Sequence, residues 1–421
     1  METVVKTQPR AIALPFIFTP NPVIGMSPET LYKKLLEGDD PETGRKVIDE
    51  ILEVLTKPQK NKYAGNLTPA EAEPRPGPLE PDTEDNLLQA FYDRGWTDGL
   101  PVVLPTEERV NRMLAGTSRK PDEVVGQAYD HDHHELVTYK VRDMAVIAVM
   151  AGAKPEYFPV ILAIASLRQA SLMPSTTAFG SMLLVNGPIR NELGMNSGIG
   201  AFSPVNQANS VIGRAWTLMS ICWGFAKTKR TLWSSQGCTE LYNNMCVAEN
   251  EERSPWTPFH VEKGFKPEES VISTFRGWAV INSIGCAAHR SLAEELKREY
   301  AVIPPLGSRA TIIIDPLVAA NLKDNEGFET KADYCKHLSE FIQIPAGDYW
   351  KTDHIDMLVS SEAARGVEPF ASWKKLPDDG LIAPFTNPEN MNIIVVGGET
   401  SPLWKASEYG YGSSASVDAW R

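Results

Sequence analysis

The chain contains 421 residues, of which 42% are hydrophobic and 23% are charged, and its formal net charge is -13 at pH 7. This composition is typical of a globular protein and excludes disorder over most of the length, which accommodates two or three domains or one large α/β body with an extension. The negative charge disfavours a nucleic-acid groove or an anionic membrane surface, so small molecules and proteins remain as the expected partners.

The first 85 residues form a region of their own. Two segments, SPETLYKKLLEG and ETGRKVIDEILEVL, have helical periodicity, with N-cap candidates at Ser27 and Thr43. The stretch that follows, TKPQKNKYAGNLTPAEAEPRPGPLEPDTED, is rich in proline and acid and has no apolar period. Residues 1–85 are therefore predicted to be a helical arm with a Pro-rich linker, which either wraps a neighbouring subunit or acts as a flexible tether.

From residue 86 onward the pattern is that of a mixed α/β body. Short β-branched runs closed by Gly or Pro predict strands at 100–105, 181–189, 310–316 and 392–399. Apolar residues at intervals of three and four predict helices at 106–115, 138–151, 155–170, 208–226, 290–299 and 329–342. These elements indicate a mixed sheet covered by helices on both faces. We divide the body into a first half, 86–265, and a second half, 266–421, and no internal repeat is apparent in the sequence.

The cysteines and the apolar segments predict a cytoplasmic protein. Five scattered cysteines without CxxC spacing suggest neither a disulfide framework nor a zinc ribbon, and they fit a reducing compartment. The N-terminal METVVKTQPRAIALPF lacks the long apolar segment of a secretory signal. The most apolar stretch, SVIGRAWTLMSICWGFA, is interrupted by Arg214 and is too short to span a bilayer comfortably, so it is predicted to be a core helix.

A glycine-rich loop follows the predicted strand at 181–189. The segment LLVNGPIRNELGMNSGIGAFSPVNQANSVIGRAW runs from this strand through the loop into a helix that begins near Asn209. Free backbone N–H groups and the positive end of a helix favour an anion, so we assign Asn196, Ser197 and Arg214 to anion binding, with Arg190 as a further basic candidate. Alternatively, the glycines only permit tight turns. Neither GxGxxG nor P-loop spacing occurs, so nucleotide binding is not supported.

A second strand end, NIIVVGGETSPLW, places Gly397 and Gly398 directly after a buried strand. Paired glycines at such a position allow a substrate to approach the backbone and can supply N–H donors to a developing negative charge. An ordinary turn is the alternative. The C-terminal tail, YGYGSSASVDAW, has the glycine and aromatic content of a lid that closes a pocket.

The segment YDHDHHELVTYK offers the most obvious metal candidates, His131 and His133. Alternate residues share one face of a strand, and this pair does not match a structural-zinc pattern, so a solvated or subunit-facing turn is the favoured interpretation. A metal-dependent enzyme that uses His131, His133 or His260 with glutamates remains an alternative. No cofactor is predicted.

The segment AENEERSPWTPFHVEKGF concentrates acid beside an aromatic residue and a histidine. On an extended stretch, Glu249 and Glu251 face the same way, and repulsion between them would raise one pKa and create a general acid beside a general base. His260 would orient a carboxylate or relay protons, Trp256 would supply an apolar wall, and the nearby Cys246 is a candidate nucleophile or metal ligand. The structural alternative is an acidic helix cap followed by a Pro-bounded loop.

Four motifs that occur in order resemble those of a bacterial family associated with UGSC-type proteins, some of which carry selenocysteine. The motifs are TDGLPVVLPTEERV, MAGAKPEYFPVILA, VNGPIRNELGMNSG with IGRA, and AENEERSPWTPFHVEKGF, and the resemblance covers residues 95 to about 400. It implies a small-molecule transformation at sulfur or at a carbon–heteroatom bond, shared between two different subunits. In the family the position of Ala153 is often cysteine, and that thiol is missing from this chain.

Together these patterns predict a cytosolic α/β enzyme of small-molecule metabolism, of lyase or hydrolase type, that applies acid–base chemistry to a compact anionic substrate. We assign Glu249, Glu251 and His260 to catalysis, and we add Asp98, in the TDGLP turn, to the rim of the substrate pocket. A homo-oligomer is expected. The alternative function is that of a subunit that binds a UGSC-like thiol or selenol partner through the N-terminal arm.

Overall fold

The computed structural model describes residues 17, 19, 27–41, 43–56, 76–130, 135–174, 178–228, 231–288 and 290–421. The chain divides into two compact units. The larger unit consists of Pro74–His131, Glu135–Ile344 and Leu381–Arg421, and the smaller one of Met1–Glu73, Asp132–His134 and Pro345–Gly380. The predicted boundary between residues 265 and 266 therefore falls inside the larger unit, whereas 345–380 belongs to the smaller one.

The helices and strands are numbered in chain order. The helices are α1 (Pro28–Leu36), α2 (Val47–Thr56), α3 (Glu84–Asp93), α4 (Glu107–Leu114), α5 (Val141–Ala151), α6 (Phe158–Ser166), α7 (Ile189–Glu192), α8 (Gln207–Cys222), α9 (Phe259–Glu262), α10 (Leu292–Val302), α11 (Pro316–Ala320), α12 (Lys331–Phe341), α13 (Ala346–Lys351), α14 (Asp353–Ala364) and α15 (Phe370–Trp373). The strands are β1 (Val124–Asp130), β2 (Glu135–Lys140), β3 (Gly180–Asn186), β4 (Val247–Ala248), β5 (Val271–Gly277), β6 (Val280–Ile284), β7 (Ala310–Ile314), β8 (Ile344–Pro345), β9 (Leu381–Ile382), β10 (Met391–Val395), β11 (Leu403–Ser407) and β12 (Gly410–Ser416).

The structure confirms the α/β class with mixed sheets. Helices α4, α5, α6, α8, α10 and α12 lie where periodicity predicts helices, and β3, β7 and β10 overlap three of the four predicted strands. The fourth, 100–105, is not a strand: Val102 and Leu104 are buried in the core, but Pro101 and Pro105 cannot donate backbone hydrogen bonds to a neighbour. In the arm, the Ser27 hydroxyl caps α1 by accepting from the Thr30 N–H at 3.2 Å, as predicted.

The core of the larger unit contains two four-stranded sheets. The first has the order β12-β5-β3-β4, in which β3 and β4 are parallel and the other pairs are antiparallel. The second has the order β10-β7-β11-β6, in which β7 and β10 are parallel and the other pairs are antiparallel.

Alternating side chains of β3 show how the first sheet is covered. Leu183 and Val185 join an apolar cluster with helices α5, α6 and α8. Met182 and Leu184, which point to the opposite face, join a different cluster that also contains residues of β7 and β10 from the second sheet. One face of the first sheet is therefore covered by helices, and its other face packs against the second sheet.

The second sheet repeats this arrangement. Ile313 of β7 belongs to the cluster between the sheets, whereas Ile312 and Ile314 pack with helices α10 and α12. The larger unit thus has four layers, helix–sheet–sheet–helix, in which the central strands β3 and β7 are buried on both faces. Continuous apolar strands such as ATIII are the expected sequences for such sheets.

The two sheets also share one topology, which was not apparent in the sequence. In each sheet a parallel pair (β3 with β4, or β7 with β10) is followed by two antiparallel strands (β5 and β12, or β11 and β6). Along the chain, β5 leads directly to β6 of the other sheet, and β11 leads directly to β12 of the first sheet. The larger unit is therefore an internal structural repeat in which the halves exchange their last strand.

The C-terminal tail differs from its prediction as a lid. Residues Gly410–Ser416 form β12, which pairs antiparallel with β5. The residues after it are also held in place, because Thr117 donates to the Trp420 carbonyl at 2.6 Å and Arg421 forms an ion pair with Glu192 at 2.7 Å. The lid prediction is wrong because the backbone of this segment is hydrogen-bonded to β5, which holds it within the sheet.

Helix α8 contains the apolar stretch 210–226 as far as Cys222, and twelve of the sixteen residues of the helix are buried. Arg214, which interrupts the stretch, is only half-buried. Within the described ranges, the search for a helix with the length and apolar composition needed to cross a bilayer found none.

Candidate functional site

Acidic and amide side chains meet where the parallel strands β3 and β4 end. Asn186 is the last residue of β3, and Glu249 follows β4 directly. The Asn186 Nδ2 atom donates to Glu249 Oε2 at 2.6 Å and to Glu251 Oε1 at 2.9 Å. The two glutamates that were predicted to act together therefore converge on one amide group, because parallel strands bring their carboxyl ends to the same edge of a sheet.

Glu249 is fully buried, and both of its carboxylate oxygens already have partners. Lys331 Nζ donates to Oε1 at 2.9 Å, and the backbone N–H of Phe259 donates to Oε2 at 2.7 Å. The Lys331 side chain is itself only 3% exposed. This geometry is a buried ion pair completed by hydrogen bonds, which is the arrangement that compensates for removing two charges from water.

Glu251 is fixed in a similar way. Its Oε1 accepts from the Gly187 N–H at 2.8 Å, and its Oε2 lies 3.0 Å from Arg190 Nη2. Arg190 also forms a two-pronged pair with Glu252, at 3.1 and 3.0 Å, whose hydrogen bonds lower the pKa of Glu252 to about 2. The Arg190 guanidinium, a sequence candidate for binding a substrate anion, thus binds glutamates of this chain.

His260 lies beside these carboxylates without hydrogen-bonding to them. Its side chain is fully buried, and its Nδ1 atom is 3.9 Å from Glu251 Oε1, beyond hydrogen-bonding distance. Neither ring nitrogen has a partner among the residues that the structure describes. His260 is thus close to the group that it was predicted to orient, and its catalytic role remains a prediction.

The four loop residues assigned to substrate binding lie together at the end of β10. The Gly397 N–H donates to the Ser197 carbonyl at 2.9 Å, so the predicted backbone donor is used within the protein. Asn196 is bonded inside its own loop, since its Oδ1 accepts from the Gly198 N–H at 2.9 Å. A β-carbon at Gly398 would lie 2.2 Å from a side-chain carbon of Ile199. The glycines therefore permit the two loops to pack against each other.

Asp98 and Arg214 form a partnered pair. Arg214 Nε and Nη2 donate to the two carboxylate oxygens of Asp98, both at 2.8 Å, and Nη2 also donates to the Pro101 carbonyl at 2.9 Å. The Asp98 side chain is only 4% exposed. This pair therefore connects α8 to the TDGLP turn, where Asp98 and Gly99 border a cleft described next.

A cleft with a volume of about 1180 Å³ lies in the larger unit. Its lining residues lie in 95–99, 172–173, 178–179, 226–228 and 232–242, together with Thr217 and Ile221 of α8 and with Trp278. Of the residues that we assigned to catalysis or substrate binding, Asp98 lines this cleft. The others, Glu249, Glu251, His260, Asn196, Ser197, Arg214, Gly397, Gly398 and Trp256, are not among its lining residues. Trp256 is instead buried in the apolar cluster of Ile312, Ile314 and helices α10 and α12, and it donates from Nε1 to the Phe328 carbonyl at 3.0 Å.

Cys238 and Glu240 form a pair on the wall of the cleft. The Cys238 thiol donates to Glu240 Oε2 at 2.7 Å, and both residues are half-buried. Burial, with the Glu240 carboxylate as a further cause, raises the pKa of Cys238 to about 12. The thiol therefore retains its proton at neutral pH, and its closest acceptor is a carboxylate that also faces the cleft.

Sequence reasoning did not select this pair, because no recognised spacing marks it. A weak signal exists: Cys238 lies in the polar run SSQGCTE. The other four cysteines, Cys222, Cys246, Cys286 and Cys335, are buried. Cys246, the nucleophile candidate of the sequence analysis, has its pKa raised to about 12 by complete burial.

Of the three candidate metal ligands, the structure describes only His260. His131 and His133 lie outside the described residues. Across the ranges that are described, a search for three or more His, Cys, Asp or Glu side chains arranged to hold a metal ion found none, and this search included His260.

Comparison with known proteins found no matching family model, curated protein or solved structure. The resemblance to the UGSC-associated family therefore remains a prediction.

Proposed function

We propose that this chain is a small-molecule enzyme of lyase or hydrolase type whose substrate binds in the 1180 Å³ cleft. The observation that supports this proposal is the Cys238–Glu240 pair, a thiol and a carboxylate 2.7 Å apart on the wall of a cleft large enough for a metabolite. Clefts that combine apolar walls with a few convergent polar groups are typical of ligand sites.

The pair suits an elimination in which Glu240 is the base and Cys238 is the acid. Glu240 would accept a proton from a substrate carbon, and the electron pair of that C–H bond would form the new double bond. The leaving heteroatom would depart with its bonding electrons and take the thiol proton. The resulting thiolate lies beside the protonated Glu240 and recovers the proton from it, so the pair returns to its starting state.

This assignment moves the predicted acid–base chemistry from Glu249 and Glu251 to Glu240. Glu249 is inaccessible and paired with Lys331, whereas Glu240 borders the cleft. Purified protein incubated with small carboxylates that carry a β-hydroxyl, β-amino or β-thio group should form the unsaturated product, detected by its ultraviolet absorbance. If a variant in which both Glu240 and Cys238 are replaced still converts the substrate, the proposal is wrong.

The state of the thiol gives a prediction that requires no substrate. The rate of Cys238 alkylation by iodoacetamide should keep rising, about tenfold per pH unit, beyond pH 9, since its pKa is raised to about 12. Glu240→Gln should accelerate the reaction, because the carboxylate contributes to the raised pKa. Mass spectrometry of the modified peptide measures the rate, with Cys238→Ser as the control. A plateau near pH 9, or slower alkylation of Glu240→Gln, would contradict the pairing.

A second candidate function, that of a subunit in an assembly, is favoured by the edge of the second sheet. The outer side of β6 has no strand partner among the described residues. At the end of this strand Ile284 is 64% exposed, and its partner on the neighbouring β11, Leu403, is 54% exposed. An antiparallel edge is self-complementary, so we propose that β6 pairs with β6 of a second copy. Light scattering should then give a dimer mass that Ile284→Lys halves. A monomer would leave the UGSC-like partner as the occupant to test by co-expression.

A further inference from the structure

Arg276, on β5, is a half-buried arginine whose charge is not matched by any carboxylate in the part of the chain that the structure describes. Its Nη1 donates to Met173 Sδ at 2.7 Å, a weak acceptor, and its Nη2 donates to the Ala170 carbonyl. Its Nε is buried and has no partner, and no carboxylate of the described residues forms an ion pair with it. A half-buried guanidinium without a counter-ion is costly, and an anionic ligand would compensate for that cost.

The guanidinium lies beside the proposed substrate cleft. Met173, which accepts from Nη1, lines the cleft, and this contact is exposed to solvent. Trp278 follows Arg276 by two positions, just beyond the end of β5, and Arg276 lies opposite Ser181 of β3, which is two positions from Phe179. Trp278 stacks on Phe179 with ring centroids 5.7 Å apart and an angle of 4° between the planes, and both rings line the cleft. A cation and a flat apolar surface therefore meet at one end of the cleft.

We propose that Arg276 binds the carboxylate of the substrate and that the apolar, planar part of the substrate packs against the Phe179–Trp278 pair. This inference rests on the proposed function, since it assumes that the cleft is the substrate site. An incoming carboxylate oxygen would replace Met173 Sδ, a poorer acceptor, as the partner of Nη1. The expected substrate class is a small aromatic or unsaturated carboxylate.

Benzoate and benzamide test the inference, because they have nearly the same shape and differ in charge. Calorimetric titration of the full chain should give a benzoate Kd at least about tenfold lower than the benzamide Kd. Arg276→Gln should remove this difference, and Arg276→Lys should retain part of it because the positive charge remains. Arg298→Gln, which removes a 66% exposed arginine, is the control for net charge and should leave both affinities unchanged.

Several outcomes would overturn the inference. These are equal affinities for benzoate and benzamide in the unaltered protein, an unchanged ratio in a folded Arg276→Gln or Arg276→Lys variant, or benzoate binding that is insensitive to Trp278→Leu. The melting temperature of each variant establishes that it is folded. Failure of the proposed function is separable, since Glu240→Gln should leave benzoate binding intact. If Glu240→Gln keeps normal turnover while Arg276→Gln loses benzoate binding, the carboxylate subsite is supported and the assignment of Glu240 as the base is wrong.

Discussion

Glu249→Gln should lower the free energy of unfolding by about 3–5 kcal/mol, the typical cost of removing one partner of a buried ion pair. The substitution leaves the Lys331 ammonium buried without a counter-ion of equal quality. The Glu249 carboxylate accepts hydrogen bonds from Asn186, Phe259 and Lys331. A glutamine replaces one of its two acceptor oxygens by an NH2 group, so at least one of these donors would face another donor. Urea denaturation of the variant and the unaltered protein measures the difference.

A double-mutant cycle separates the pair from other effects of the substitution. Lys331→Met should be similarly destabilising alone, and the Glu249→Gln/Lys331→Met double variant should lose less than the sum of the two. Arg298→Gln is the matched surface control, because it breaks a pair with Glu295 at 3.0 Å that contributes at most about 1 kcal/mol. If Glu249→Gln instead reduces turnover at least about a hundredfold with an unchanged unfolding transition, the original catalytic assignment of Glu249 is supported.

Glu240→Gln should reduce turnover by about a hundredfold or more, since it removes the proposed base and retains the volume of the side chain. Stability should change little, because Glu240 is half-buried and its described side-chain partners are its neighbours Cys238 and Thr239. The two glutamate substitutions thus have opposite expected effects. Initial rates with the substrate found in the β-elimination screen, and the melting temperature of the same preparation, measure both quantities.

Glu294→Gln is the control for this prediction, because Glu294 is an exposed glutamate on α10 outside the cleft. It should keep full turnover. Normal rates in Glu240→Gln would exclude Glu240 as the base, and a melting temperature lowered by many degrees would show that its role is structural.

Some helices and strands could be predicted from the sequence and others could not. The buried strand ATIII and helices such as α8 were recognisable, because their apolar runs and three-four periods are local properties of the chain. Strand β12 was not recognisable, because its sequence is GYGSSAS and it becomes a strand by pairing with β5, about 140 residues earlier in the chain. The shared topology of the two sheets was also hidden, because it lies in strand order and direction.

The candidate site shows the same division. By itself, the sequence determined that charge and aromatic residues concentrate at 249–260 and that glycines surround two strand ends, because residue type and spacing are read directly. Only the tertiary structure decided that Glu249 is paired with Lys331, 82 positions later, and that Glu240 borders the cleft. The physical reason is that the accessibility and the electrostatic partner of a carboxylate depend on which distant segments pack against it, and no local pattern encodes those contacts.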